Sequence, residues 1–553
     1  MTDTEENAKH RPFLEHRRRS ILVNYLVNTA THGLHNIGIY YNRLHRAFWI
    51  ITFTVMFGFM SYFVFMELVQ YLAFPTQINI DIVPMRNMLF PAVTVCSANP
   101  YREDRVKEAI DVYARSNSSN ANKTDRETLF LSMLIDLFNR NESDELVYLG
   151  FQKSDMLLEC SYNGINCSSN FIHSLSSAFG NCFTFNWKDS SHKLYSLAEL
   201  GSTLMPYEGL SMTFYVPSHL NYPLNDFENG LILFVHDNNE IPFIAKNTIR
   251  LRPGLAHTIT YRKSQTIFLP KPYTNCTTVV GKNLRHIYEV IYDSQYAHQV
   301  AYSEALCYEL CEQAYIFSKC LCILPIPFIM RYVFSLDHDG LLLANTCIPA
   351  TEKEKCALEA RQGLAVNEGL MAVWCSRCVP QCVHTHFSID VSALPAPNAK
   401  QKEYWSKRLL KNDLNISLPN DFAANHNKYI DSNYLRVTVT CGSAYVTVYK
   451  QKAKITLIDT FSAVGGQTGL WIGLSALSVM EFFELIYRLI LKQISLWRHR
   501  QNIQVEQPVK LSTAAIENVS TSSLEVTIQS GPSPNPPIIR AMEMVICGTK
   551  MAV

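Results

Sequence analysis

The chain has 553 residues, 48% of them hydrophobic, and 49 Lys and Arg against 48 Asp and Glu leave a net charge of +1. That balance gives no electrostatic footprint for a nucleic-acid partner. No nucleophile–base motif, phosphate loop or metal-ligand set rises above background, which argues against an enzyme and against any cofactor.

Residues 1–46 are charged, with Lys9, Arg11, Arg17, Arg18, Arg19, Arg43 and Arg46 ahead of the first apolar run. His32-Gly33 lies among them and, taken alone, reads equally well as a turn of no consequence. Residues 47–70 are predicted to be a first membrane helix around Phe48–Met66, 19 residues without a charge, or about 28 Å of helix. The run starts too late and is too long for a cleaved signal peptide. Tyr71 and Phe74 follow where aromatic rings anchor at the membrane interface.

Residues 71–455 are predicted to be one α+β domain. FPAVTVCSANPY (90–101) alternates at strand period, and 101–180 reads as helical and loop-rich. A helix is expected to open at the Thr124/Glu127 capping box and run through LFLSMLIDLFNR. Its apolar residues, Phe130 and Met133 among them, are too many for one stripe. Such a helix is either buried on several sides or offers an apolar face to a partner or ligand. CFTFNW, LSMTFYV, GLILFVHD and HTITYRKSQTIFL predict strands between 180 and 276. About 283–382 reads as helical and cysteine-dense, and strand returns between 430 and 455.

Cys307 and Cys311 are four apart in a helical stretch, and Cys375 and Cys378 three apart, so each pair presents both sulfurs on one helix face. Two antiparallel helices could be stapled by rungs Cys307–Cys378 and Cys311–Cys375. Extending the nest gives Cys276–Cys382, Cys320–Cys356 and Cys322–Cys347, with Cys441 left over. Connectivity is not fixed by spacing, and the rival for the C-x-x-C pair is zinc.

Residues 456–492 are predicted to be a second span, with no Lys, Arg, Asp or Glu from Thr460 to Met480. It makes a poor anchor, because it carries Gly465, Gly466, Gly469, Gly473, Gln467, Thr468, Ser475, Ser478, Glu481 and Glu484. Polar groups in hydrocarbon are costly unless they face protein or water, so a helix lining an aqueous path is the reading favoured over glycines that only pack helices. A break at Gly473 would free backbone carbonyls, and several subunits would make a ring of oxygens that attracts cations. Glu481 and Glu484 would raise the cation concentration at the inner mouth, although Glu481 could equally pair with a basic residue on a neighbouring helix. Asp459 would act likewise outside, or is simply a solvated helix start. Arg488, Lys492, Arg498 and Arg500 follow, so both termini are expected to be cytosolic. Two signals agree: six of seven sequons (Asn117, Asn122, Asn141, Asn166, Asn275, Asn415) and 15 of 16 cysteines lie between the spans. Residues 493–553 are a cytosolic tail, predicted to be largely disordered.

His32-Gly33, FPAVTVC, GNCFTFN (180–186), VHDNNEIPF (235–243), LPKPYTNC (269–276), the nested cysteines and GGQTGLWIGLSALSVMEFFE together resemble the degenerin/epithelial sodium channel family from about residue 30 to 490. The resemblance implies a trimer of identical or homologous subunits in the plasma membrane, passing Na+ and blocked by amiloride-type compounds. Each subunit would have two membrane helices and a hand-like ectodomain of palm, ball, finger (101–180), knuckle and thumb (283–382). It implies that Gly473-Leu474-Ser475 is the selective belt. Ser462 would sit where bulky residues hold degenerins open, near the amiloride site, with Gly466 and Gly469 along the same pore stretch. His32-Gly33 would be the N-terminal gating motif, and Tyr71 and Tyr273 the wrist contact. It implies the nested cystines above, plus Cys96–Cys182 and Cys160–Cys167.

Proton-gated members of the family carry carboxylates at the second and sixth residues after the cysteine matching Cys356, and here these are Leu358 and Gln362. The apolar segment 129–138 instead suggests a place for a small cationic peptide, with Asp104, Glu108, Asp111 or Asp136 for its charge. The expectation is a channel opened by an extracellular neuropeptide of the FMRFamide kind. Proton gating and constitutive activity are the alternatives within the family. An ATP-gated channel and a non-conducting two-span glycoprotein receptor are the alternatives outside it.

Overall fold

The computed structural model describes residues 21–39, 42–84, 88–116, 126–140, 142–187, 194–196, 209–223, 228–242, 248–291, 299–324, 331–334, 340–411, 414, 416–443 and 445–505. They form two units. One combines the residues up to Ile50 with those from Ser475 onward, and the other runs from Ile51 to Leu474.

Helices α1 (Ile21–Asn28) and α2 (Leu34–Ile39) are joined through a turn in which Gly33 takes a φ of 84°. Helix α3 (Arg43–Leu72) has 30 residues, none of them buried. Among the described residues it is the one helix long and apolar enough to cross a membrane by itself. Then come β1 (Thr76–Pro84), β2 (Ala92–Ser97), α4 (Glu103–Ser116), α5 (Arg126–Arg140), α6 (Ser143–Leu149), α7 (Lys153–Met156), β3 (Leu157–Tyr162), β4 (Ile165–Asn166), β5 (Phe171–Ser176) and β6 (Gly180–Phe185). Next are β7 (Leu210–Tyr215), β8 (Leu231–His236), β9 (Ile249–Leu251) and β10 (Leu255–Ile267). The cysteine-rich part holds α8 (Lys282–Ile291), α9 (Glu304–Cys320), β11 (Tyr332–Phe334), β12 (Leu341–Leu343), α10 (Glu352–Val366) and α11 (Glu368–Trp374). The chain closes with β13 (Val383–Pro395), α12 (Ala399–Leu410), α13 (Phe422–Asn433), β14 (Tyr434–Cys441), β15 (Tyr445–Ala453), α14 (Leu457–Ile472) and α15 (Ala476–Val505).

An eight-stranded sheet has the order β1-β15-β10-β14-β7-β3-β4, with β13 also pairing β10. β10 is its hub, antiparallel to β13 over its whole length and parallel first to β14 and then to β15. β1, which leaves the first span, pairs with β15, which enters α14, from Thr76↔Ala453 to Pro84↔Tyr445. A five-stranded sheet, β5-β6-β2-β8-β9, carries Cys96 directly opposite Cys182, and the two are bonded. Phe90 meets Tyr162, Phe185 and Tyr261 at centroid distances of 5.1, 6.2 and 5.6 Å, which joins the two sheets in one aromatic core.

β2 is buried at every position, because it lies between β6 and β8 with both faces covered. The stretch 101–180, expected to be helical and loop-rich, is strand from Leu157 onward. Asn163 and Gly164 take φ of 51° and 83° and turn the chain tightly, and Cys160–Cys167 staples β3 to the residues just past β4. The cysteine-rich helices also contain the β11–β12 hairpin. The stretch 383–429 had no element assigned from sequence, and strand was expected from 430. Residues 383–433 form β13, α12 and α13, so residues 430–433 are helix and strand resumes only at Tyr434. Trp405, Leu409, Phe422 and Ile430 of these helices bury against Leu158, Tyr215 and Tyr434 of the large sheet.

The other cystines are Cys276–Cys382, Cys307–Cys378, Cys311–Cys375, Cys320–Cys356 and Cys322–Cys347. Both sulfurs of the C-x-x-C pair are therefore in disulfides, which removes the zinc alternative. Cys441 is a free, half-buried thiol that donates to the Ser443 carbonyl at 3.0 Å. Of the sequons, Asn166 and Asn275 are exposed. Asn117, Asn122, Asn141 and Asn415 lie outside the described residues, as do Thr124 of the expected capping box and the tail beyond 505.

Candidate functional site

Helix α14 starts on a complete cap. Thr456 Oγ1 accepts the Asp459 N–H at 3.2 Å, and Asp459 accepts the Thr456 N–H at 2.9 Å and its hydroxyl at 2.7 Å. Asp459 is thus committed to the helix start. The helix ends in the middle of the uncharged run, where Gly473 takes a φ of 66° and its N–H turns back to the Gly469 and Thr468 carbonyls. A side chain rarely tolerates that conformation, and glycine does so freely. Leu474 N–H also reaches back to Thr468. Three residues, 473–475, are therefore outside any helix. Ser475 starts α15 by accepting the Ser478 N–H at 3.3 Å and bonding its hydroxyl at 3.2 Å. α14 and α15 are long and apolar enough to cross a membrane only when taken together.

Along α14, Ser462, Gly465, Gly466 and Gly469 are exposed, and a Cβ added at any of the three glycines would meet nothing within 4 Å. These glycines do not serve close packing within this chain. Further down, Glu481 accepts hydrogen bonds from Thr29 Oγ1 at 3.0 Å and Ala30 N–H at 3.2 Å. It holds the segment that leads into His32-Gly33, where Thr29 and Thr31 are buried, and it does not pair with a basic residue there. Glu484 pairs with Arg488 at 2.5 Å, so its charge is already matched. A 380 Å³ cavity lies between α1 and α15 and is lined by Asn28, Thr29, Glu481, Glu484 and Arg488.

At the C-terminal end of α3, Tyr71 and Tyr273 do not stack on each other. Phe74 stands between them, 6.2 Å from Tyr71 and edge-on to Tyr273 at 5.4 Å, with a φ of 48° that swings its ring into this gap. Sequence placed Phe74 only at the lipid interface.

The residues considered for a ligand in the helical lobe are mostly engaged. Phe130 and Met133 are 0% and 2% exposed. Phe130 packs on Tyr101 at 5.1 Å and Tyr222 at 4.6 Å, so both residues are core and have no surface to offer a peptide. Along α5, Leu129, Leu134, Ile135, Leu137 and Phe138 are half-buried beside these two, and Leu131 alone of its apolar residues is exposed. Asp104 is bonded to Arg102 at 2.6 Å, Asp111 to Arg126 at 3.5 Å and Asp136 to Arg140, while Glu108 is exposed. Arg102 is buried and also pairs with Asp155 at 3.0 Å, and Arg105 joins Asp155 at 3.2 Å. Leu358 and Gln362 are exposed on α10.

A site not singled out from sequence lies elsewhere. A 670 Å³ cavity is lined by His236 at the end of β8, Glu240 just after it, Glu304 and Tyr308 of α9, and His384 and His386 of β13. Burial, and then the nearby Asp237 charge, push the Glu240 carboxyl up to about 7 against the pull of Lys263. Burial pushes the neighbouring His236 down to about 4. The signal was present in VHDNNEIPF, in which a His and two carboxylates follow an apolar strand.

The family described as amiloride-sensitive sodium channel matches residues 25–485. The chain is similar to acid-sensing ion channel 1C of Danio rerio, at 24% identity over 500 residues that cover 87% of this chain and 86% of that one. It is 24% identical to acid-sensing ion channel 4 of Rattus norvegicus over 455 residues, covering 81% and 74%. It is 21% identical to the bile acid-sensitive ion channel of Homo sapiens over 485 residues, covering 84% and 85%.

Proposed function

Because the chain belongs to the amiloride-sensitive sodium channel family, we propose that three copies assemble around a pore lined by α14 and α15, with Gly473-Leu474-Ser475 as its sodium-selective constriction. The protein is a plasma-membrane ion channel that passes Na+ without a cofactor, and it is not an enzyme. What supports the constriction is the break itself. α14 ends at Ile472 and α15 starts at Ala476 inside a stretch that carries no charge from Thr460 to Met480. Carbonyls released from a helix at membrane depth are tolerated where they face water or an ion. In this reading α3 is the outer span, both termini are cytosolic, residues 71–455 are extracellular with glycans at the exposed Asn166 and Asn275, and amiloride-type blockers enter past Ser462. Replacing Ser475 by Leu fills the constriction and shifts the reversal potential in Na+/K+ exchange. An unchanged permeability ratio rejects the assignment.

Gating is from outside. Opening by an FMRFamide-like peptide is supported by Leu358 and Gln362, which leave α10 without the carboxylate pair of proton-gated relatives. Phe130 and Met133 are no part of that site. Opening by acid is the second reading, favoured by Glu240, whose carboxyl takes up its proton near pH 7 beside Asp237. Oocytes expressing the full chain, perfused with amidated peptides at neutral pH and then with acid alone, separate the two. Acid-only currents with no peptide response reject the peptide reading.

A further inference from the structure

We infer that Trp471 is a positioning residue for the constriction, holding the end of α14 against the first membrane helix so that the break at Gly473 falls at one fixed place. This rests on the assignment of Gly473–Ser475 as the selective part. The indole lies one turn or less from the break and is gripped on its ring system by two phenylalanines of α3. Phe59 stacks at 5.4 Å with an interplanar angle of 21°, and Phe63 at 5.7 Å and 7°. Phe59 and Phe63 are four apart, so they stand on one face of α3, one above the other. The third constraint is polar. The indole N–H donates to Gln467 Oε1 at 2.9 Å, one turn back on α14, so the ring's only donor is satisfied without water.

Beside Trp471, the side chain that anchors the last two turns of α14 is Ile472, which is buried but carries no polar contact. Gly465, Gly466 and Gly469 leave open space around them, and Leu470 is 76% exposed. Gly473 has no side chain, and residues 473–475 lie outside the helices, so their carbonyl positions are inherited from the anchored end of α14, which Trp471 grips on α3 and Ile472 buries. Selectivity in a ring of carbonyls depends on where the oxygens stand and how firmly they are held. A looser ring coordinates Na+ and K+ with less discrimination. The three-sided grip on Trp471 therefore acts on selectivity through the backbone, with no contact to the ion.

The test uses the full chain at the oocyte surface, opened by whichever stimulus the perfusion experiment identifies, with surface labelling alongside. Trp471→Leu removes the stack and the N–H bond, Trp471→Phe keeps the stack alone, and Phe63→Leu removes one ring from the partner side while keeping its apolar volume. Ser475→Leu is the control. The expected result is a Na+/K+ permeability ratio that falls toward unity in Trp471→Leu and falls less in Phe63→Leu. It should be largely retained in Trp471→Phe, with surface protein unchanged. If Trp471→Leu and Phe63→Leu reach the surface with wild-type ratios while Ser475→Leu shifts, the positioning role is overturned and the constriction stands. If Ser475→Leu also leaves the ratio unchanged, the constriction assignment fails and the positioning role falls with it. Should Trp471→Leu not reach the surface, Phe63→Leu alone decides.

Discussion

Replacing Glu240 with Gln should expose an acid lability that the native protein hides. In the fold the Glu240 carboxyl titrates at about 7 against an ordinary 4.5, so between those values the folded chain holds a proton that the unfolded chain has lost. The stability this contributes is fully present below about 4.5 and is lost as pH rises through about 7. At about 1.36 kcal/mol per pH unit, the difference of about 2.5 is worth up to about 3 kcal/mol. His236 acts in the opposite sense. Its imidazole titrates at about 4 against 6.5, so its stability is present above 6.5 and is lost as pH falls toward 4. The two nearly offset between about 4.5 and 6.5, and the native chain should show a shallow profile across that window. Glu240→Gln keeps the shape and removes one side of the balance, leaving His236 to destabilise the fold by about 3 kcal/mol on acidification. Trp187 is a built-in reporter, because its indole N–H donates to the Glu240 carbonyl at 2.9 Å. Thermal unfolding of the detergent-solubilised full chain, followed by tryptophan fluorescence from pH 7.5 to 4.5, measures the effect. Midpoints of native and variant protein that move in parallel over this range would refute the reasoning.

Two further outcomes follow from the geometry around the spans. Phe74→Ala deletes both ring contacts between Tyr71 and Tyr273, about 1 kcal/mol each; peak current should drop at unchanged surface density, and Tyr71→Ala or Tyr273→Ala should add little to it, because either change removes one of the same contacts. Glu481→Ala frees Thr29 and Ala30, two hydrogen bonds to a charged acceptor worth about 1.5–3 kcal/mol each. Proteolysis of the N-terminal segment in inside-out vesicles should quicken, with Glu481→Gln intermediate because its amide oxygen still accepts.

What could be read in advance follows the range of the interactions involved. The apolar first helix, the break at Gly473, the paired rows of cysteines and the strands between 180 and 276 all announce themselves within a few residues, through hydropathy, period and spacing. The β3–β4 hairpin did as well, since Asn163-Gly164 between two apolar runs is a strong turn signal; it was masked by the helical character of the preceding residues. α12 and α13 have ordinary amphipathic patterns, and only their burial on β7 and β14 makes them stable parts of the fold. The fate of the charged candidates was the least legible. Asp104, Asp136, Asp459, Glu481 and Glu484 all look available in a string of letters. Whether each is spent on a neighbouring arginine, a helix start or a threonine is decided by rotamers and partners that sequence does not carry. Glu240 is the converse: VHDNNEIPF shows a His and two carboxylates after a strand, but the carboxyl becomes chemically unusual only through burial in the cavity that α9 and β13 help to line.

The pairing of β1 with β15 has a mechanical consequence for how such a channel can move. Nine residue pairs, from Thr76↔Ala453 to Pro84↔Tyr445, tie the chain that has just left the first span to the chain about to enter α14, and the Lys454 N–H closes on the Pro75 carbonyl at 2.8 Å. A pull along these strands loads every rung at once, as a shear, whereas a force across them would open rungs one after another. A one-residue slip would turn every side chain to the opposite face. α3 and α14 are therefore yoked at the ends that meet the large sheet, and a displacement of that sheet reaches both together. Tilting or twisting of the pair is left as the inexpensive motion, and prising the two apart as the costly one.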